Sequence, residues 1–324
     1  MYHKVCKVRK VECMKKQIVE IAPMFKERIW GGEKIKRVFH GNTDIEPVGE
    51  MWNVSALEQG DCKIPALNMT LSQLFNDHPD WFECQTKEFP LHCTLIVPIA
   101  DLSVQVHPTE TYARTVENAM GKPEAWYIID APADAKIQFG HNARTIEEAR
   151  LMIEDKQWDR FLRYVEVKKR DFLYVPDGHV HAIAKNVLCF EIARSADVTY
   201  RLYDYDRVDK KTGQKRPLHI EKSLDVLAVP HQAPGPYTVA ASLVDGCLIR
   251  NYFDQPKVFT FASIEVKEEG EFQFERFFFL TCIEGEGHID QHSVYPGKTM
   301  LVPHGYKKIK IKGKLTLLLS SFRD

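Results

Sequence analysis

A glutamine and a histidine stand two residues apart in "LSVQVHPTE" (102–110), at Gln105 and His107, inside an alternating apolar run. In an extended strand residues i and i+2 share a face, so both side chains point the same way. Alone, such a pair is two solvated side chains on an ordinary strand. It becomes half of a metal site when a carboxylate and a second imidazole join it, and the chain supplies both. Glu124 opens a β-rich run just after a Gly/Pro turn ("GKPEAWYIID", 121–130), and His181 stands three residues beyond a tight Pro-x-Gly turn ("VPDGHVHAI", 175–183). Two imidazoles, one carboxylate and one amide oxygen form a borderline-hard N/O donor set suited to zinc, with manganese, iron or cobalt as alternatives. Such a set leaves a position for water or substrate, as catalytic sites do. Gln105 is the least usual ligand of the four, and neighbouring His179 is a decoy for the role of His181.

Three further residues extend the chemistry. Lys122, Glu191 and Arg201 provide a proton carrier and fixed positive charge, which a reaction through an anionic enediol requires. The plainer reading of "VTYRLYDYDR" (198–207) is a tyrosine-rich edge strand with salt bridges, in which alternation sets Arg201, Tyr203 and Tyr205 on one face.

The elements that must position these groups are mostly strands. Short β-rich runs recur, among them "QIVEIAP", "MWNVSAL", "HCTLIVPIADLSVQVHP", "DFLYVPDG" and "VLCFEIA", punctuated by Pro, Gly and Asp. That rhythm predicts a sandwich or barrel of antiparallel strands. Helices are expected over 68–82, over 145–167 with Thr145 as N-cap, and over 218–229, followed by a Pro/Gly-rich linker, "PHQAPGPY". An internal echo links "FLYVPDGHVH" (172–181) to "TMLVPHGYKK" (299–308), which suits two related β-barrels in tandem. Lys308 of the second copy stands where the first has His181, and Arg170 stands where the second has Gly297. The metal is therefore expected in the first barrel alone.

Composition narrows the function classes. A chain of 324 residues has room for two domains, and its net charge of −1 gives no electrostatic reason for a nucleic-acid or membrane-surface partner. No apolar run is long enough to cross a bilayer. Eight cysteines are scattered without a C-x-x-C, which favours reduced thiols in a cytoplasmic protein over a zinc ribbon or disulfide framework. The basic start lacks the apolar stretch of a secretory signal, and Met14 offers a second initiation point. Residues 1–13 are read as a tail or an over-extended start.

Six motifs in order, "RIWGG" (28–32), "GEMWNVS" (49–55), "LSVQVHP" (102–108), "GKPEAWY" (121–127), "YVPDGHVHAI" (174–183) and "TYRLYDYDR" (199–207), resemble the type I mannose-6-phosphate isomerases, also called phosphomannose isomerases, in their short bacterial form. The C-terminal "EGEGHI" and "VYPGKTMLVPHG" resemble that family's second, metal-free barrel. The resemblance implies a mainly β fold of tandem cupin (jelly-roll) barrels with a small helical insertion. It implies a metal-binding domain over 14–233, a metal-free domain over 234–324, one Zn2+ per chain, and a small-molecule sugar phosphate as partner. Its zinc ligands fall on Gln105, His107, Glu124 and His181, its catalytic arginine on Arg201, and its active-site lysine on Lys122. Ser103 matches a serine that holds the phosphate, and Glu191 matches a proton-transfer glutamate. The chain departs from the family at Thr94, where a lysine is expected, at Val97-Pro98 in place of Asp-Ala, and across Ile192–Ala196. The expected activity is interconversion of mannose 6-phosphate and fructose 6-phosphate through a cis-enediol. The competing readings are a sugar-binding cupin with altered specificity or little turnover, and an iron cupin oxygenase. Sequence leaves open whether Glu191 or Lys122 carries the proton, and what the oligomeric state is.

Overall fold

The structure, a computed structural model, describes residues 14–324. The segment 1–13, read above as a tail or over-extended start, lies outside the described residues. Strands rich in β-branched and aromatic residues form two sheets in the N-terminal half. One has six strands, in the order Phe172–Val175, Glu124–Asp130, Leu188–Arg194, Leu91–Ile96, Val48–Val54, Met24–Gly32. The other has five, in the order Leu162–Glu166, Lys136–His141, His181–Ala182, Val104–Val106, Tyr200–Tyr203. Neighbours in both sheets run antiparallel, although the paired strands are mostly far apart in sequence, as Leu188–Arg194 is from Leu91–Ile96.

The six-stranded sheet is buried on both faces, so its central strands read as near-continuous apolar runs rather than as alternating ones; Leu91–Ile96 is buried at every position. Alternate residues feed different cores. Cys93, Leu95, Phe190, Ile192, Ala125 and Tyr127 pack with Phe259, Phe261, Phe277 and Phe279 in a core shared with the C-terminal barrel. Their neighbours Ile96, Trp126, Ile128 and Cys189 belong to the interior of the first barrel. It is on this second face that Thr94, Glu124 and Glu191 sit, two-residue steps from those apolar partners.

The C-terminal half is a nine-stranded sheet dominated by Phe278–Ile289 and Ile309–Ser321. Its interior is filled by apolar side chains such as Ile264, Leu280, Met300 and Leu317. The first described strand, Val19–Ile21, crosses over to pair with Thr299–Val302, opposing Val19 to Leu301, and so stitches the start of the chain into the C-terminal sheet.

The expected helices are present but shorter. In the first region the helix is Leu71–Asp77, capped by Thr70 and Gln73 in a capping box and stopped before Pro79. Thr145 caps a helix as expected, but it ends at Glu154, and after the short helix Trp158–Phe161 the chain becomes the strand Leu162–Glu166. Cross-strand pairing with Lys136–His141 outweighs the helical spacing of apolar residues there. The third helix is Ile220–Val226, and the linker beyond it forms no helix or strand, with Ala228 N donating to Gly178 O of the first barrel.

The internal echo is structural. Phe172–Val175 and Thr299–Val302 are both four-residue strands. Each is followed by a Pro-x-Gly turn whose glycine is left-handed, Gly178 at φ 76° and Gly305 at φ 67°. The equivalence extends upstream, since Arg170 (φ 75°) and Gly297 (φ 94°) are also both left-handed. At Gly297 a Cβ would meet the carbonyl oxygen of Phe39 at 2.7 Å. Gly297→Ala therefore combines left-handed strain with a backbone clash and is expected to lower stability by about 1–2 kcal/mol or more. Thermal unfolding checks this, and an unchanged melting temperature would refute it. Among the described residues no helix is long and apolar enough to cross a membrane.

Candidate functional site

Two cross-strand rows face each other across the first barrel. In the five-stranded sheet Gln105 is directly opposite His181 on one side and Arg201 on the other. In the six-stranded sheet Thr94 is opposite Trp52 on one side and Glu191 on the other, and Glu191 is opposite Trp126. His107, two residues past Gln105, and Glu124, two before Trp126, close the gap between the sheets.

The geometry at that gap is the geometry of a metal centre. His107, Glu124 and His181 are buried and offer ligand atoms within 4.8 Å of one another. Nε2 of His107 lies 3.2 Å from Oε2 of Glu124, and Nε2 of His181 lies 3.5 Å from Oε1. A tetrahedral zinc with ligand bonds of about 2.0–2.1 Å spaces its donors by about 3.4 Å, so these separations fit. Each imidazole donates its other nitrogen to a backbone carbonyl. Nδ1 of His107 bonds Val198 O at 2.7 Å, and Nδ1 of His181 bonds His179 O at 2.8 Å. Those bonds fix the tautomer and aim Nε2 at the centre, the second tier of a metal site. Nε2 of His107 and Oε1 of Glu124 are buried with no hydrogen-bond partner in the protein. Buried polar atoms are rarely left so, and a cation satisfies both.

Electrostatics agree. Burial, reinforced by the charge of Lys122, pushes His107 below the usual imidazole range, and burial pushes His181 down to about 3, so both rings are neutral as metal ligands must be. Burial alone would raise Glu124, but Lys122 and the two histidines outweigh it and hold the carboxyl well below the usual range. Gln105 brings its amide to 3.3 Å from Nε2 of His181, where either its oxygen or its nitrogen fits the same space.

Further charged groups adjoin this cluster. Lys122 Nζ donates to Glu124 Oε2 at 2.6 Å and to Glu191 Oε1 at 3.1 Å, with all three residues buried. Burial opposes the ammonium charge, yet Glu124 and Glu191 outweigh it and keep Lys122 protonated. Glu191 is raised to about 7, first by burial and then by the charge of Glu124, with Lys122 pulling the other way. Arg201 Nε donates to Ser103 Oγ at 3.2 Å and Nη1 to Pro217 O at 3.0 Å. Burial and the charge of Arg216 lower Arg201 to about 10, which leaves the guanidinium charged.

Lys122, Glu191, Ser103 and Arg201 line a cavity of about 490 Å3, whose far wall the sequence motifs did not assign to the site. There Arg28 makes a two-pronged ion pair with Glu50 (2.8 and 2.7 Å), and Trp52 Nε1 donates to the same carboxylate at 2.8 Å. His92 also lines the cavity. Its signal was a histidine inside an otherwise buried apolar strand, "LHCTLI".

One expectation about neighbours needs correction. Arg201, Tyr203 and Tyr205 do not share a regular strand face. A bulge between Arg201 and Tyr203 breaks the alternation, the strand ends at Tyr203, and Tyr205 is left-handed at φ 55°. Tyr203 instead stacks on Trp158, with ring centroids 4.5 Å apart. The His179 ring packs edge-on against His231, while its carbonyl supports His181. Because the backbone and not the ring does that work, His179→Ala is expected to keep metal content within error of wild type, read by elemental analysis.

In the second barrel the echo position Lys308 forms surface ion pairs with Asp245 and Glu271, at 2.8 and 3.3 Å. Among the described residues, only the first barrel gathers three metal-ligating side chains.

Comparison with known proteins agrees with this arrangement. The model of the mannose-6-phosphate isomerase cupin domain matches residues 249–322. Mannose-6-phosphate isomerase ManA of Bacillus subtilis is 40% identical over 312 residues, spanning 92% of this chain and 96% of that protein. The Streptococcus mutans mannose-6-phosphate isomerase is 33% identical, spanning 91% and 95%. The crystal structure of mannose 6-phosphate isomerase from Bacillus subtilis superposes with a TM-score of 0.90 at 32% identity, covering 95% of this chain and all (100%) of that one. With a tandem cupin fold, a His-Glu-His cluster in the first barrel and relatives matched over nearly their whole length, this chain belongs to the mannose-6-phosphate isomerase family.

Proposed function

We propose that this chain is a metal-dependent aldose–ketose isomerase that interconverts mannose 6-phosphate and fructose 6-phosphate, with zinc as the metal. The observation that carries the reading is the buried Lys122–Glu191 pair docked on Glu124, on the floor of a cavity large enough for a sugar phosphate. Gln105, His107, Glu124 and His181 would hold the ion, which when bound supplies Lewis-acid stabilisation to the oxygens on C1 and C2. The reaction takes a proton from C2 of the aldose, leaves the electron pair in a cis-enediolate, shifts the hydroxyl proton from O2 to O1, and returns a proton to C1.

Glu191, raised toward neutrality by burial, is the group that takes and returns that proton. Lys122 stays protonated, keeps Glu191 oriented and adds positive charge beside the enediolate. Arg201 supplies the other fixed charge, and Ser103, which accepts its Nε–H, contributes to holding the substrate. The catalytic work lies in residues 14–233, and 234–324 serve as a metal-free barrel. The described cysteines are free thiols, which suits a reducing compartment, and we place the enzyme in the cytoplasm.

Solvent deuterium entering C1 or C2 of the hexose 6-phosphates during turnover by the metal-loaded protein would support this reading. Saturable binding without exchange would overturn it. The charge state of Glu191 sets the pH dependence. The base must be deprotonated, so kcat/KM is expected to rise with pH through a limb at or below about 7, the bound cation moving it downward. Glu191→Gln should abolish that limb along with most of the activity.

A further inference from the structure

His92 and Thr94 stand two apart on the strand Leu91–Ile96, on the face that lines the cavity. Both are polar and both are buried, at 5% and 1% exposure. Oγ1 of Thr94 lies 2.9 Å from Nε2 of His92. The imidazole is held edge-on to Trp52, with ring centroids 4.6 Å apart, and the indole is itself fixed by its bond to Glu50. Thr94 is the direct cross-strand neighbour of Glu191. Nδ1 of His92 has no partner in the protein. Burial, then the charge of Lys122, pushes the ring down to about 3, so the pair carries no charge at neutral pH.

Two buried polar side chains in an apolar strand cost desolvation that leucine and valine would not. Both have their orientation set by neighbours, and both border the cavity beside the proton-transferring carboxylate. A phosphate would call for a cation at this point, whereas a neutral hydroxyl and imidazole suit a sugar hydroxyl. We propose that His92 and Thr94 form a specificity-determining pair, in which His92 orients the Thr94 hydroxyl to hydrogen-bond an uncharged hydroxyl on C3 or C4 of the sugar. The proposal rests on the isomerase reading above, since Thr94 lies one strand away from the group that acts at C1 and C2.

The test compares wild type, Thr94→Val, Thr94→Ser and His92→Leu on mannose 6-phosphate and on its 3-deoxy and 4-deoxy analogues. Thr94→Val is expected to lower kcat/KM on the parent sugar by about 10-fold or more. On the one analogue that lacks the matched hydroxyl, it should change kcat/KM by no more than about twofold, because there is no bond left to lose. Thr94→Ser should restore the parent value, and His92→Leu should show the same sugar dependence as Thr94→Val with a smaller loss. Metal content and melting temperature of the Thr94 variants should match wild type. An equal loss on all three sugars, a loss that serine fails to rescue, or no loss at all would overturn the proposal. Failure of the wild type to turn over mannose 6-phosphate would instead sink the isomerase reading. The same comparison, made by calorimetric binding of the three sugars, would then still decide the role of the pair.

Discussion

His181→Ala is expected to lose its metal and its activity together, with metal content falling from about one per chain to a small fraction and turnover falling to near background. Removing a hydrogen bond that merely supports a ligand costs about 10–100-fold in metal affinity, and removing the ligand itself should cost more. The loss should be large here because the centre cannot recruit a substitute. The ring of His179 packs on His231, and Gln105 already abuts the site. Deleting the imidazole also leaves Glu124 buried opposite one histidine and one ammonium. Elemental analysis alongside the isomerase assay checks the outcome. Retained metal with lost activity would make His181 a substrate contact, and a wild-type content near two per chain would contradict a metal-free second barrel.

Arg201→Ala is expected to keep metal and fold while kcat falls by about 100- to 1,000-fold, the scale of about 2.7–4 kcal/mol seen when one preorganised oxyanion donor is removed. The guanidinium is held by Ser103 and Pro217, so it meets developing charge without reorganising. A contact made chiefly in the transition state lowers kcat and kcat/KM together and leaves KM nearly unchanged. A rise in KM with kcat intact would recast Arg201 as a ground-state anchor for the substrate.

The parts of the site legible in the sequence were those whose local motifs set the geometry. Gln105-x-His107 is a strand pair, Glu124 follows a turn, and His181 follows a Pro-x-Gly turn, so each announces its backbone context within a few residues. The Arg28–Glu50–Trp52 wall and His92 did not, because what brings them to the cavity is a cross-strand neighbourhood that a linear reading cannot assemble. The same limit explains the over-long helix at 145–167. Apolar spacing continued smoothly through Leu162–Glu166, and only the pairing partner at Lys136–His141 decided for strand. The tandem-barrel fold was legible through the Pro-x-Gly echo. The crossing of Val19–Ile21 into the far sheet left no such mark.

The six-stranded sheet lies between the two barrels, with one face in the core shared with the second barrel. Along Leu188–Arg194 the chain alternates between residues that pack in the core shared with the second barrel, Leu188, Phe190 and Ile192, and residues that face the first, Cys189 and Glu191. Phe190, whose ring centroid lies 6.1 Å from that of Phe261, is joined through a single peptide unit to Glu191. The same holds for Cys93 and Leu95 on either side of Thr94. Packing in the second barrel therefore bears on the height and tilt of Glu191 in the first. Closely packed interiors transmit displacement rather than absorb it. Volume changes among Phe259, Phe261, Phe277 and Phe279 are thus expected to reach the cavity of the first barrel through its floor.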